Sequence, residues 1–99
     1  MWITTITYDV AVLREMDDAE QIAHFTSIQN KKTEIREGSS DNDGLPVDGY
    51  SLPGHIDDIP FAQASLIIKR SWSNEAKARL FAEHFDNLDW AIATVEEQP

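Results

Sequence analysis

Between Glu37 and Asp58 the chain reads EGSSDNDGLPVDGYSLPGHIDD, and this stretch limits what the remainder can fold into. It holds all four glycines of the protein, two of its four prolines and six carboxylates, with no Lys or Arg. Glycine and proline at this density interrupt both helix and strand. The chain is therefore divided into two flanking segments that must each form their own elements. A flexible linker of this length inside a compact chain of 99 residues would be unusual. Leu45, Val47, Tyr50, Leu52 and Ile56 give it apolar anchors, and Pro46 and Pro53 stiffen it. The expectation is an ordered, packed excursion over 37–58.

Each flank reads as strand, helix, strand. From Trp2 to Val12 the even positions are Trp2, Thr4, Ile6, Tyr8, Val10 and Val12, and the odd ones include Thr5, Thr7 and Asp9. That period of two, rich in β-branched and aromatic residues, predicts a half-buried strand with its even face inward. Asp17 and Glu20 form a capping box that starts a helix, with Asp17, Asp18 and Glu20 at the positive end of its dipole. The apolar spacing predicts an end near Asn30, with Lys31 and Lys32 at the negative end. The following KKTEIRE reads as a short strand or a last helical turn.

Beyond the excursion, Pro60 opens a second strand over Phe61 to Trp72, with Ala64, Leu66 and Ile68 on its buried face. Ser73 is the expected N-cap of a helix over 74–87, with Leu80, Phe81, Phe85 and Leu88 on one stripe. DWAIATVEEQ alternates again and predicts a last strand at a sheet edge, where Glu96, Glu97 and Pro99 discourage further pairing. The order β-α-β, long connection, β-α-β predicts one α+β domain over 1–99 of ferredoxin-like type. In that arrangement an antiparallel sheet carries two helices on one face, and here the β2–β3 connection is long and acidic.

The net charge of −10 is unevenly spread. Residues 1–36 and 59–99 each carry six acids against four bases, whereas 37–58 carries six acids against none. Such a field repels nucleic acid and anionic membrane and attracts basic protein surfaces over roughly a Debye length. The absence of cysteine excludes disulfides, thiolate ligands and a Cys nucleophile, and fits a reducing compartment. MWITTITYDVAVLREM has neither a basic region before an apolar run nor a small-residue cleavage site, so the expected location is the cytoplasm.

No catalytic constellation stands out. DNDG at Asp41–Gly44 lacks the third acid and the terminal Glu of an EF-hand loop, and reads as an acidic turn. His55 with Asp57 and Asp58 is a His-x-Asp pair, but a three-ligand metal site would need the loop to fold back onto His24 or His84. There is no G-x-S-x-G elbow and no Gly-rich phosphate cradle, so neither cofactor nor metal is expected. Lys69, Arg70, Lys77 and Arg79 form a small basic cluster, expected to pair with Glu75 and Glu83. Trp2, Trp72 and Trp90 are either core and rim residues or, on an uncovered sheet face, a dimer or partner surface.

These features point to a non-enzymatic acidic protein that engages a basic, nucleic-acid-binding surface of a partner protein. Glu37, Asp41, Asp43, Asp48, Asp57 and Asp58 are the expected contact residues. In character it is similar to phage-encoded inhibitors of host defence, the anti-CRISPR and anti-restriction proteins. These are often small, acidic, Cys-poor domains that present carboxylates where phosphates would lie. The alternative is a ferredoxin-like homodimer, a ligand-binding module or simple enzyme with Tyr8, His24 or His84 in an apolar pocket. An antitoxin or immunity protein that neutralises a basic nuclease shares the physics of the first reading.

Overall fold

A computed structural model describes residues 1–36, 43–54 and 56–98. Among the described residues the chain forms a small α+β domain with a four-stranded antiparallel sheet and three helices. In chain order these are β1 (Trp2–Asp9), α1 (Val10–Glu15), α2 (Asp18–Arg36), β2 (Leu45–Pro46), β3 (Ser65–Trp72), α3 (Glu75–Glu83) and β4 (Ala91–Glu97). In space the strands run β2-β3-β1-β4, every neighbouring pair antiparallel.

The register explains the burial. Thr4, Ile6 and Tyr8 of β1 lie beside Arg70, Ile68 and Leu66 of β3 and beside Val95, Ala93 and Ala91 of β4. Because paired residues share a face, this row looks toward the helices. The Thr4 hydroxyl donates to the Ala78 carbonyl of α3 at 2.8 Å. Trp72 packs its ring on Phe81, and Tyr8 meets both Phe85 and His24 of α2. The even face of β1 is thus inward, as its alternation predicts. On the other side Thr7 lies between Ile67 and Ile92, and Ile92 is 68% exposed. The tryptophans belong to the core and its margin: Trp72 is fully buried, and Trp2 and Trp90 pack partly buried against it.

Several element boundaries differ from the sequence expectation. β1 stops at Asp9, whose carboxylate accepts the Ala11 amide at 3.0 Å and caps a new short helix over Val10–Glu15. Val10 and Leu13 continue inward there, so the apolar positions of a strand and of a helical turn coincide over these residues. The capping box forms, with the Glu20 amide donating to Asp17 at 2.8 Å, but α2 runs past Asn30 to Arg36. KKTEIR is helix and not strand: the Thr33 hydroxyl donates to the Gln29 carbonyl, Lys31 pairs with Glu34, and Ile35 packs on the core. The second strand of the sheet is instead the two-residue β2 inside the acidic stretch. α3 is shorter than expected and is capped by Asn74, whose side chain accepts the Lys77 amide at 3.0 Å. Its buried residues are Ala78 and Phe81, while Leu80 is exposed. Phe61 precedes β3 and is 92% exposed.

Candidate functional site

The described part of the acidic stretch is held against the β3 edge of the sheet. The Gly44 amide donates to the Ser71 carbonyl at 2.7 Å, the Val47 amide to the Lys69 carbonyl at 3.1 Å, and the Lys69 amide returns to the Tyr50 carbonyl at 3.2 Å. Val47 to Tyr50 is a turn closed by a 2.9 Å hydrogen bond from the Tyr50 amide. Gly49 sits at φ +84°, the left-handed position that a type II turn requires at its third residue. Asp48 is the second residue of that turn and faces solvent. The Lys69 ammonium lies 4.5 Å from the Tyr50 ring centre, which fastens the turn from its sheet side.

Further along, Ile56–Asp58 forms one 3-10 turn, with the Ile59 amide donating to the Ile56 carbonyl at 3.0 Å. Residues three apart superpose in this helix, so Ile56 and Ile59 are both buried and Asp57 and Asp58 are turned outward. The pattern Ile-Asp-Asp-Ile is therefore a hydrophobic anchor that presents two carboxylates.

Asp43 behaves differently. It is fully buried, and its carboxylate accepts the Ser73 amide at 2.6 Å, the Ser73 hydroxyl at 3.2 Å and the Lys77 ammonium at 2.7 Å. Burial works to raise its pKa. The hydrogen bonds from Lys77 and Ser73 outweigh that and hold the carboxyl below the usual range. Asp43 braces the start of α3 and offers no oxygen to a partner. Of the six expected contact residues, the structure exposes Asp48, Asp57 and Asp58 and buries Asp43. Glu37 and Asp41 lie outside the described residues, as does His55.

The basic cluster expected around the second strand–helix junction is dispersed. Lys77 pairs with Asp43, Arg79 with Glu75 at 2.7 Å, Lys69 stacks on Tyr50, and Arg70 points inward at 4% exposure. The signal for Arg70 lay in its alternation: Leu66, Ile68, Arg70 and Trp72 occupy one buried row.

A second constellation lies where β1, α2 and α3 meet. The Tyr8 hydroxyl and His24 Nε2 share a 3.2 Å hydrogen bond, and the His24 ring stands 4.9 Å from that of Trp90. The Ser27 hydroxyl donates to the His24 carbonyl at 2.7 Å and lies 3.4 Å from His84 Nε2. Burial keeps the Tyr8 phenol protonated far above the ordinary tyrosine range. Burial first, and then the neighbouring His84, push the His24 pKa down; burial and the charge of Lys31 do the same to His84. Trp90 and Ser27 carry no sequence signal for this role, because only the packing of α2 and α3 onto β1 brings them to the two histidines. A cleft of about 330 Å3 opens beside Tyr8 and Trp90, bordered by Asp9, Ser65 and Asp89. Among the described residues no group of three or more His, Cys, Asp or Glu side chains is placed to hold a metal ion. Among them, too, no helix is long and apolar enough to cross a membrane.

Comparisons of the chain with protein-family models, with curated proteins and with solved structures return no match.

Proposed function

We propose that this chain is a non-enzymatic acidic binding protein whose 37–58 excursion engages a basic, nucleic-acid-binding surface of another protein, as an inhibitor does. One observation carries the reading. The excursion is anchored by β-type hydrogen bonds and by the buried Ile56 and Ile59, and the carboxylates of Asp48, Asp57 and Asp58 are left on its outer side. Carboxylates fixed on an ordered backbone lose little entropy on meeting a positive surface. The two flanking segments carry −2 each against −6 in 37–58, so negative charge is densest in this one region. The succession β-α-α-β-β-α-β with spatial order β2-β3-β1-β4 supports a ferredoxin-like scaffold with one added short helix, in which the acidic stretch supplies β2 and the first part of the β2–β3 connection. Anti-defence proteins aimed at CRISPR or restriction complexes, and antitoxins against basic nucleases, are the classes of binder this chemistry suits.

The experiment is affinity capture from a bacterial lysate on the immobilised chain, eluted by rising salt and identified by mass spectrometry. The reading expects a basic nucleic-acid enzyme that salt releases and that added DNA displaces. Retention of only neutral or acidic proteins, or of none, would contradict it.

The Tyr8–His24–Trp90 group favours a second reading, a ligand-binding module or simple enzyme. The Tyr8 phenol, held protonated by burial and hydrogen-bonded to His24 Nε2, is a polar group set among apolar rings, and a cleft borders Tyr8 and Trp90, an arrangement suited to a small ligand with an apolar body.

A further inference from the structure

α2 and the end of α3 meet at two histidines with a serine between them. The Ser27 hydroxyl has one proton and donates it to the His24 carbonyl at 2.7 Å. Toward His84 Nε2, 3.4 Å away, it can therefore only accept, which places an N–H on that nitrogen. His84 is the residue that ends α3, and its ring stands edge-on to Phe85. On the other side of Ser27, the His24 ring has the centroids of Trp90, Tyr8 and Phe25 at 4.9, 5.5 and 5.8 Å. Tyr8 is buried and keeps its phenolic proton, and among the described residues the partner of its hydroxyl is His24 Nε2 at 3.2 Å. That nitrogen must then be the acceptor.

Uncharged imidazoles satisfy all of these contacts. A proton taken up by His24 fills the Nε2 lone pair and leaves the buried Tyr8 hydroxyl without its acceptor. A proton taken up by His84 sets a second charge across Ser27 from the first. Few charged groups face the pair. Lys31 of α2 opposes the protonation of His84, and Glu34, which favours it, is drawn to Lys31 at 3.5 Å. From β1 the Tyr8 phenol contributes no charge, and Glu20, Glu83 and Asp86 are exposed to solvent. Burial first, and then His84, hold the His24 pKa below the ordinary 6.5; burial first, and then Lys31, do the same to His84.

We propose that His24, Ser27 and His84 form an acid-sensitive joint, which holds α2 on α3 while both imidazoles are uncharged and loosens when they take up protons. The sign follows from the two lowered values. Above pH 6.5 neither the docked nor the undocked segment binds the protons, and the joint is intact. Below it the undocked segment takes up protons that the docked one resists, so stability is lost as the pH falls. The element at stake is α2, which buries Gln21, Phe25 and Ile28. Its Lys32 stem also lies where a Cβ on Gly44 would meet it at 2.7 Å. Loosening of α2 therefore reaches the start of the described part of the acidic excursion.

The test uses the full chain and needs no ligand. NMR follows the ring signals of His24 and His84 from about pH 8 to about pH 5. Hydrogen exchange over the same range gives protection factors, corrected for the intrinsic pH dependence of exchange. Both rings should titrate below 6.5. The α2 amides should lose about tenfold in protection at the acid end while β1 and β3 keep theirs. The deciding variant is the double substitution His24→Gln, His84→Gln, whose amides can still hydrogen-bond and cannot become charged. Its α2 protection should stay constant across the range. If that variant does not fold, His84→Gln alone, at a half-buried position, should reduce the acid loss. Titration of either ring at or above 6.5, equal loss over β1, β3 and α2, or an undiminished acid loss in the folded variant would each overturn the proposal.

Discussion

Asp43 and Asp48 are the same residue type, close together in one acidic stretch, and they end up with opposite roles. Asp48 sits on a turn with its carboxylate in water. Asp43 is buried with the Lys77 ammonium and the Ser73 N–H and O–H groups around it. Removing Asp43 would strand a lysine and two donors, so Asp43→Ala should cost about 2–3 kcal/mol in urea unfolding. Asp48→Ala should stay within about 0.5 kcal/mol, and equal effects of the two substitutions would contradict this assignment. The Asp43 contribution also depends on pH. Its folded pKa lies below the ordinary 3.8, so the stability is present above the unfolded value and is lost as pH falls through the folded one. The difference between wild type and Asp43→Ala should therefore hold steady down to about pH 4 and shrink below it. Nothing local distinguishes these two aspartates in the sequence. The choice depends on Ser73 and Lys77, which arrive only after β3 and α3 have docked.

At the scale of elements, the parts that were legible were those coded by neighbours in the chain. The alternation of β1 as far as Asp9, the capping box at Asp17 and Glu20, and the edge strand at the end appear where the residues say. The sequence misplaced the elements where one pattern served two structures. Val10 and Val12 continue a strand alternation and also begin α1, and the Asp9 cap decides between them. KKTEIR has too few apolar residues to show a helical face, yet its side chains bond along the helix and Ile35 reaches the core. β2 is two residues long and depends wholly on β3 for its hydrogen bonds.

Two glycines govern how the excursion meets the sheet, and they differ in a measurable way. Gly44 and Gly49 both have positive φ, of 76° and 84°. Nothing lies within 4 Å of a Cβ on Gly49, whereas one on Gly44 would press on Lys32 and Trp72. Gly49→Ala should thus cost only the backbone strain of about 1 kcal/mol. Gly44→Ala should cost that and a packing penalty, about 2–3 kcal/mol in all. Thermal unfolding of the two variants checks this, and equal losses would mean that Gly44 is not packed against α2.

At the scale of the whole molecule, net charge and its concentration were read directly from the residues, because charge counts need no fold. Which carboxylates face outward was not legible. That depends on Ile56 and Ile59 anchoring one turn and on β3 holding the other. On the proposed reading the excursion's exposed carboxylates attract a basic partner, and the decisive measurement is the salt dependence of binding to the captured partner, compared between wild type and the triple variant Asp48→Asn, Asp57→Asn, Asp58→Asn. All three positions are exposed, and the unfolding of the variant is measured beside its binding so that a change of fold is told apart from a change of charge. Its affinity should fall, and the steep loss of wild-type binding with rising salt should flatten. A triple variant that folds normally and binds with unchanged affinity and unchanged salt dependence would contradict the account.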